Sequence, residues 1–163
     1  MRDFKKYFKL EASPADLYNA LTNPMMIEIW TGETAVMSTE PGSEFSLWDG
    51  EIVGRNIEFV QDQKIVQSWF FGEESDSVVT IKLHPDKQGT NVEVHQTNIP
   101  DEAYDNIAEG WESDYIGSLK ELFDKTHKWG KIAMCVIFPY LLIISLDKEG
   151  ISPVSSLIAH NSF

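Results

Sequence analysis

Apolar and polar residues alternate with a period of two over much of the chain between residues 35 and 98. In the clearest run, Val79, Ile81 and Leu83 are separated by polar or charged residues, and neighbouring segments repeat the pattern. Alternation over several short segments indicates antiparallel strands that bury one face of a sheet. Turn-forming residues divide the segments, and the pair Asp-Gly at 49–50 predicts a two-residue hairpin.

A helical period of 3.6 residues appears before and after the strand region. Ser13-Pro14 is typical of a helix start, and Asn23-Pro24 predicts the end of that helix and the start of a second short one. Apolar residues then form a helical stripe over 104–123. The sequence predicts an α+β helix-grip domain, in which a curved antiparallel sheet of six to seven strands wraps around a long C-terminal helix, with two short helices after strand 1.

Parity along the strands predicts which side chains face the core. Val53, Ile57 and Phe59 share one parity, and Trp69 and Phe71 share the inward parity of the next segment. Glu93 and His95 lie two apart on one strand, with the parity opposite to that of their apolar neighbours. We therefore expect these two to form a surface pair that faces solvent.

Charge is unevenly distributed along the chain. The net charge is −13; residues 1–124 hold 9 Lys and Arg against 24 Asp and Glu, whereas 125–163 hold 4 against 2. A negative field repels phosphate backbones, so we expect no nucleic-acid partner and a preference for basic surfaces.

The composition break predicts a helix-grip domain at 1–128 and an atypical apolar tail at 129–163. Fifteen apolar or small residues, 132–146, are interrupted by Pro139, whereas a membrane span needs about 20 residues. Three interpretations stay open: a membrane anchor, a packed extension of the domain, or a non-native extension such as a shifted reading frame. Membrane contact is expected only for the first.

No recognisable catalytic signature is present. The chain lacks a hydrolase nucleophile elbow and a glycine-rich phosphate loop, and its four histidines have no metal-ligand spacing. Cys135 is the only cysteine, which rules out a disulfide within the chain, and no apolar region typical of a secretory signal follows the start. We therefore predict a cytoplasmic protein that is not an enzyme, with no catalytic residues, metal or cofactor.

Aromatic residues are the remaining candidates for a site. A curved sheet closed by a helix can leave a cavity, and aromatic-lined concavities bind small molecules; alternatively, the same side chains fill the core. A glycine in the helical stripe indicates either close packing or room for a ligand. The candidate cavity residues are Trp30, Phe45, Phe59, Trp69, Phe71, Tyr104, Gly110, Trp111 and Tyr115.

Several short motifs, in this order, resemble a known family. They are Ser-Pro-Ala-Asp-Leu-Tyr at 13–18, Trp-Asp-Gly at 48–50, Lys-Ile-Val-Gln-Ser-Trp at 64–69 and Gly-Trp at 110–111. Over about residues 5–124 the chain is similar to the activator of Hsp90 ATPase homologue 1-like family, within the START/Bet v 1-like helix-grip superfamily.

The resemblance implies a non-catalytic, co-chaperone-like domain with an Hsp90-type chaperone as partner and a role linked to stress. In the Hsp90 co-chaperones of this family a separate N-terminal domain carries much of the ATPase stimulation. The segment similar to this chain is therefore expected to bind the chaperone rather than to activate its ATPase alone. The alternative hypothesis is a carrier or sensor of a small hydrophobic ligand in the cavity between sheet and helix. An aromatase/cyclase-type enzyme would need an inward acid–base pair, which the sequence does not show.

Overall fold

One antiparallel sheet and three helices make up the part of the chain described by the computed structural model, residues 1–72 and 75–124. The elements are β1 Arg2–Leu10, α1 Pro14–Thr22, α2 Pro24–Thr31, β2 Glu44–Leu47, β3 Ile52–Val60, β4 Lys64–Phe70, β5 Ser77–Asp86, β6 Gly89–Ile99 and α3 Tyr104–Gly110.

The sheet has six strands in the described residues, in the order β1-β6-β5-β4-β3-β2, and every neighbouring pair is antiparallel. Strands β2 to β6 follow one another in space, while β1 pairs with β6, so that β1 and β2 are the two edges. The curved sheet and the two short helices after β1 confirm the predicted fold class.

The C-terminal helix (residues 104–124) is not a regular α-helix. After α3 the backbone forms a π-helical turn, Trp111–Tyr115, and returns to α-helix over 116–124. Trp111, Tyr115 and Leu119 of this helix are buried in the hydrophobic core. The long helix is confirmed, whereas the π-helical turn was not predicted.

The start signals of the two short helices act as predicted. Ser13 caps α1, because its Oγ accepts a hydrogen bond from the Asp16 backbone N–H at 3.1 Å. Asn23 ends α1 and caps α2, its Oδ1 accepting from the Met25 N–H at 3.1 Å. The indole N–H of Trp30 in α2 donates to the Ala20 carbonyl at 2.9 Å and fixes the two helices together.

The predicted inward parity of Val53 and Ile57 in β3 is wrong. Gly54 and Asn56 face the core instead, opposite Trp69 and Gln67, and Ile57 is 44 % exposed. A register shift between Asn56 and Glu58 inserts an extra residue, so parity reverses along the strand. Phe59, beyond the bulge, packs against the core as predicted.

The predicted two-residue hairpin at Asp49-Gly50 is also wrong. Leu47 pairs with Ile52, so four residues connect β2 to β3. Trp48 and Asp49 have φ angles of 50° and 52°. Two consecutive left-handed residues other than glycine are unusual, above all for a bulky indole side chain.

Glu93 on the outer face of the sheet does not form the expected pair with His95. It is only 8 % exposed, and its carboxylate oxygens lie 2.9 Å from Lys5 Nζ and 2.9 Å from His84 Nε2. Hydrogen bonds from Lys5 and then His84 lower the pKa of Glu93 to about 2. The carboxylate therefore links three strands, β1, β5 and β6.

Glu93 is expected to make folding sensitive to acid. Because its pKa is depressed in the folded protein, its contribution is complete above the ordinary value of 4.5 and is lost as the pH falls toward 2. Glu93→Gln should flatten the fall in melting temperature below about pH 5. Glu102→Gln, at an exposed carboxylate, is the control, and identical pH profiles for wild type and Glu93→Gln would contradict the argument.

The tail lies outside the described residues. The boundary near residue 128, Cys135 and the three interpretations of 129–163 consequently stay predictions. Within 1–72 and 75–124, no helix combines the length and apolar character needed to cross a membrane.

Candidate functional site

A pocket of about 290 Å³ lies between the C-terminal helix and one end of the sheet. Four aromatic side chains line it: Trp48 from the β2–β3 connection, Trp69 from β4, and Trp111 and Tyr115 from the π-helical turn. Three separate parts of the chain thus place their rings around one concavity.

The rest of the wall is apolar inside and acidic where it opens. Ile52 and Ile107 are half-buried, whereas Glu51, Asn106 and Asp114 are exposed and lie toward solvent. Gly110 completes the wall. The residues that line the pocket, all of them in the described part of the chain, include no Lys, Arg or His.

Two buried glutamine side chains hydrogen-bond the indoles of Trp69 and Trp111. Trp69 and Trp111 stack with centroids 5.0 Å apart and an interplanar angle of 23°. Trp111 Nε1 donates to Gln96 Oε1 at 2.7 Å, and Trp69 Nε1 donates to Gln67 Oε1 at 3.3 Å. Both indole N–H groups are therefore engaged inside the core and are not available to a ligand.

The glutamines are in turn satisfied by their neighbours. Gln67 Nε2 donates to Asn56 Oδ1 at 2.9 Å, and Gln96 Nε2 donates to Ser77 Oγ at 3.1 Å. No fully buried side-chain nitrogen or oxygen of the described residues lacks a partner. A fully satisfied polar network of this kind fixes the orientation of the rings that it supports.

Tyr115 is the polar group of the aromatic wall. It is 4 % exposed, and its ring lies 4.6 Å from Trp111 and 5.6 Å from Trp48. Burial raises the pKa of Tyr115, so the hydroxyl is neutral at physiological pH. The hydroxyl forms no hydrogen bond within residues 1–72 and 75–124, and because no fully buried oxygen there lacks a partner, it keeps some exposure to solvent.

Irregular backbone occurs on both sides of the pocket. Trp48 is held in a left-handed conformation on one side, and Trp111–Tyr115 form the π-helical turn on the other. Single π-helical turns and strained non-glycine residues are concentrated at functional sites. Here they aim Trp48, Trp111 and Tyr115 into the same space.

Four of the residues predicted for the cavity line this pocket: Trp69, Gly110, Trp111 and Tyr115. Trp30 does not line the pocket but contacts its aromatic wall, since its ring centroid lies 5.2 Å from that of Trp48. The remaining candidates do not line it: Phe45 is buried under β3, Phe59 and Tyr104 pack elsewhere against the core, and Phe71 follows the end of β4. Their role in ligand binding stays a prediction.

Six further lining residues were missed by the sequence interpretation. Helical spacing could have found two of them, because Ile107 and Asp114 lie three and four residues from Gly110 and so share its face. Nothing in the local pattern indicates the others. The six are Trp48, Glu51, Ile52, Asn106, Ile107 and Asp114.

Comparison with known proteins decides the family. A sequence profile described as "Activator of Hsp90 ATPase homolog 1-like protein" matches residues 11–124. The chain belongs to this family. All of the residues that line the pocket fall inside the matched region.

Curated relatives of the family share moderate identity with the chain. The "Activator of 90 kDa heat shock protein ATPase homolog" of Dictyostelium discoideum is 33% identical over 124 residues, which are 74% of this chain and 32% of that protein. Homolog 1 of Homo sapiens is 27% identical over 114 residues, 68% of this chain and 34% of its own length. The chain thus spans about a third of the length of these relatives.

A solved structure has the same fold. The crystal structure of an HSP90 activator from Plasmodium falciparum matches with a TM-score of 0.70 and 24% identity, covering 75% of this chain and 96% of that one.

Proposed function

We propose that this domain is a non-catalytic binding module that docks onto an Hsp90-type chaperone. The observation that carries the proposal is the family match over 11–124, since the curated relatives are named as activators of the 90 kDa heat shock protein ATPase. The charge distribution and one exposed helix face support it and suggest where the contact is made.

An acidic segment, residues 11–54, supplies an unneutralised surface. It contains eight Asp and Glu and no Lys or Arg, and it forms α1, α2 and the edge strand β2. Glu11 aside, none of its carboxylates forms an ion pair with a described residue. A field of this kind steers a basic partner toward this side of the domain.

The opposite edge of the sheet is electrostatically different. The four basic residues of β1 all pair with carboxylates of the same domain: Arg2 with Asp105, Lys5 with Glu93, Lys6 with Glu112 and Lys9 with Asp86. The basic residues of β1 are consequently already paired within the domain and do not offset the carboxylates of the acidic segment.

The outer face of α2 adds apolar contact area. Met25 and Ile29 lie one turn apart and are 72 % and 62 % exposed, while Ile27 and Trp30 on the other face are buried. An apolar centre with an acidic rim is complementary to a basic amphipathic surface on a partner.

The test is the affinity of the full chain for an Hsp90-type chaperone from its own organism. We expect weaker binding at high salt than at low salt, and a further loss of about tenfold in Glu33→Lys/Glu44→Lys, because both carboxylates belong to the acidic segment. Glu102→Lys/Glu109→Lys makes the same charge change on the C-terminal helix and its approach, and should bind nearly as wild type. Affinity indifferent to salt and to both pairs would contradict electrostatic docking.

A second candidate function is ligand binding in the pocket, favoured by the free hydroxyl of Tyr115 and by the space at Gly110. A Cβ added at Gly110 would meet only Asp114 Oδ2, at 3.9 Å, so close packing does not require this glycine. Gly110→Leu should fill the pocket and abolish a small-molecule adduct in native mass spectra of protein purified from its own cells. Gly117→Leu, outside the pocket lining, is the control; an adduct that persists in Gly110→Leu would place the ligand elsewhere.

A further inference from the structure

We propose that the pocket binds an alkylammonium group, either the head of a small amine or the side chain of a lysine. The inference rests on the pocket being a ligand site, the second function proposed above, and it changes the expected ligand from a neutral hydrophobic molecule to a cation.

The charges around the pocket favour a cation. Glu51 and Asp114 both line it, and neither forms an ion pair with a described residue. Asp114 accepts only a 3.3 Å hydrogen bond from the neighbouring Ser113 hydroxyl. With no basic residue in the wall, an anionic head group would be repelled and a cation attracted.

The aromatic rings provide the second half of such a site. Trp48, Trp69, Trp111 and Tyr115 line the space, and aromatic cages recur in proteins that recognise quaternary ammonium groups. The indole N–H groups point away to Gln67 and Gln96, so what the tryptophans offer a ligand is their ring surface.

Tyr115 adds a hydrogen-bond acceptor among these rings. Its hydroxyl is neutral and forms no hydrogen bond within the described residues, and Tyr115 as a whole is nearly buried. The negative end of this hydroxyl dipole stabilises a cation beside it, whereas a purely hydrocarbon ligand would leave the oxygen unsatisfied.

The size of the pocket limits how much of a ligand it holds. A volume of about 290 Å³ is at the lower end of the range of small-molecule sites. The pocket suits an ammonium group with its methyl or methylene substituents, and any longer portion of the molecule would extend past Glu51 and Asp114 into solvent.

The decisive comparison is between choline and its neutral carbon isostere, 3,3-dimethylbutan-1-ol. Binding to the full chain is followed by NMR titration of the Trp69 and Trp111 indole N–H signals. We expect choline to bind about fivefold more tightly than the isostere. Glu51→Gln and Asp114→Asn should each weaken choline about threefold without affecting the isostere, because each removes one carboxylate at the mouth.

Glu109→Gln is the matched control, since it neutralises an exposed carboxylate of the same helix that does not line the pocket. It should bind choline as wild type. A parallel titration with the N-acetyl, N-methylamide derivative of trimethyllysine identifies the source: preference for this compound indicates a methylated lysine side chain, and preference for choline a free small amine.

Two failures are distinguishable. Equal binding of choline and the isostere would overturn the cationic assignment while leaving the pocket as a ligand site. No indole shift with any of the three compounds, together with no adduct in the native mass spectrum, would overturn both the assignment and the ligand-binding function.

Discussion

Replacing Gly54 with alanine is expected to lower the free energy of unfolding by about 3 kcal/mol. Gly54 faces the core of β3 opposite Trp69, and a Cβ there would lie 2.7 Å from Phe45 Cε1 and closer still to the Ser68 carbonyl oxygen. The Phe45 ring is only 2 % exposed, and the carbonyl belongs to the neighbouring strand, so neither can move away without disturbing the sheet. Chemical denaturation monitored at equilibrium measures the loss.

Gly117→Ala is the matched control for that substitution. Its Cβ would meet the Glu112 carbonyl oxygen at 3.5 Å, an ordinary contact, and alanine favours helix by about 1 kcal/mol over glycine. This variant should be as stable as wild type or more stable. A denaturation midpoint for Gly54→Ala equal to that of wild type would show that β3 and Phe45 can yield.

The second large effect is expected at Gln96, whose side chain is completely buried. Gln96→Leu keeps the approximate volume but leaves Trp111 Nε1–H without its acceptor and Ser77 Oγ without its donor. Stranding buried polar groups costs about 1–3 kcal/mol each, so we expect a loss of about 3 kcal/mol in unfolding free energy.

Trp111→Phe separates the hydrogen bond from packing in this experiment. The double variant Gln96→Leu/Trp111→Phe should lose less than the sum of the two single variants, because the donor that was stranded is then absent. Strict additivity would mean that the 2.7 Å bond contributes nothing specific to stability.

The strands could be predicted from the sequence because their alternation reflects one buried face, and the failures occur where a polar or small residue is buried. β3 is the example: Gly54 faces the core because Phe45 occupies its space, and Asn56 because Gln67 and Ser43 hydrogen-bond it. Neither contact is local in sequence, and the alternation of apolar and polar residues therefore predicted that Val53 and Ile57 face the core. The near-burial of Glu93 has the same origin, since its partners come from β1 and β5.

The candidate site was predicted only in part, because its shape depends on backbone irregularities. The π-helical turn Trp111–Tyr115 is one of these irregularities, and helical periodicity in a sequence does not reveal such a turn, even where it correctly places Trp111 and Tyr115 on the inward face. Trp48 reaches the pocket through a left-handed backbone that no residue preference would suggest for tryptophan. Trp69, Trp111 and Tyr115 were found because the strand and helix periods place them toward the core, and Gly110 because a glycine in the helical stripe leaves room for a ligand.

Because most of the tryptophans lie close together near the pocket, intrinsic tryptophan fluorescence can be used to follow this part of the protein. Four of its five tryptophans, Trp30, Trp48, Trp69 and Trp111, lie in one group of contacting rings that also includes Tyr115, and none lies on β1 or β6. Intrinsic fluorescence therefore reports chiefly on the side formed by α2, β4 and the C-terminal helix, whereas far-ultraviolet circular dichroism averages over all six strands. Coincident unfolding curves by the two methods would indicate that the β1 edge and the tryptophan side melt as a single cooperative unit.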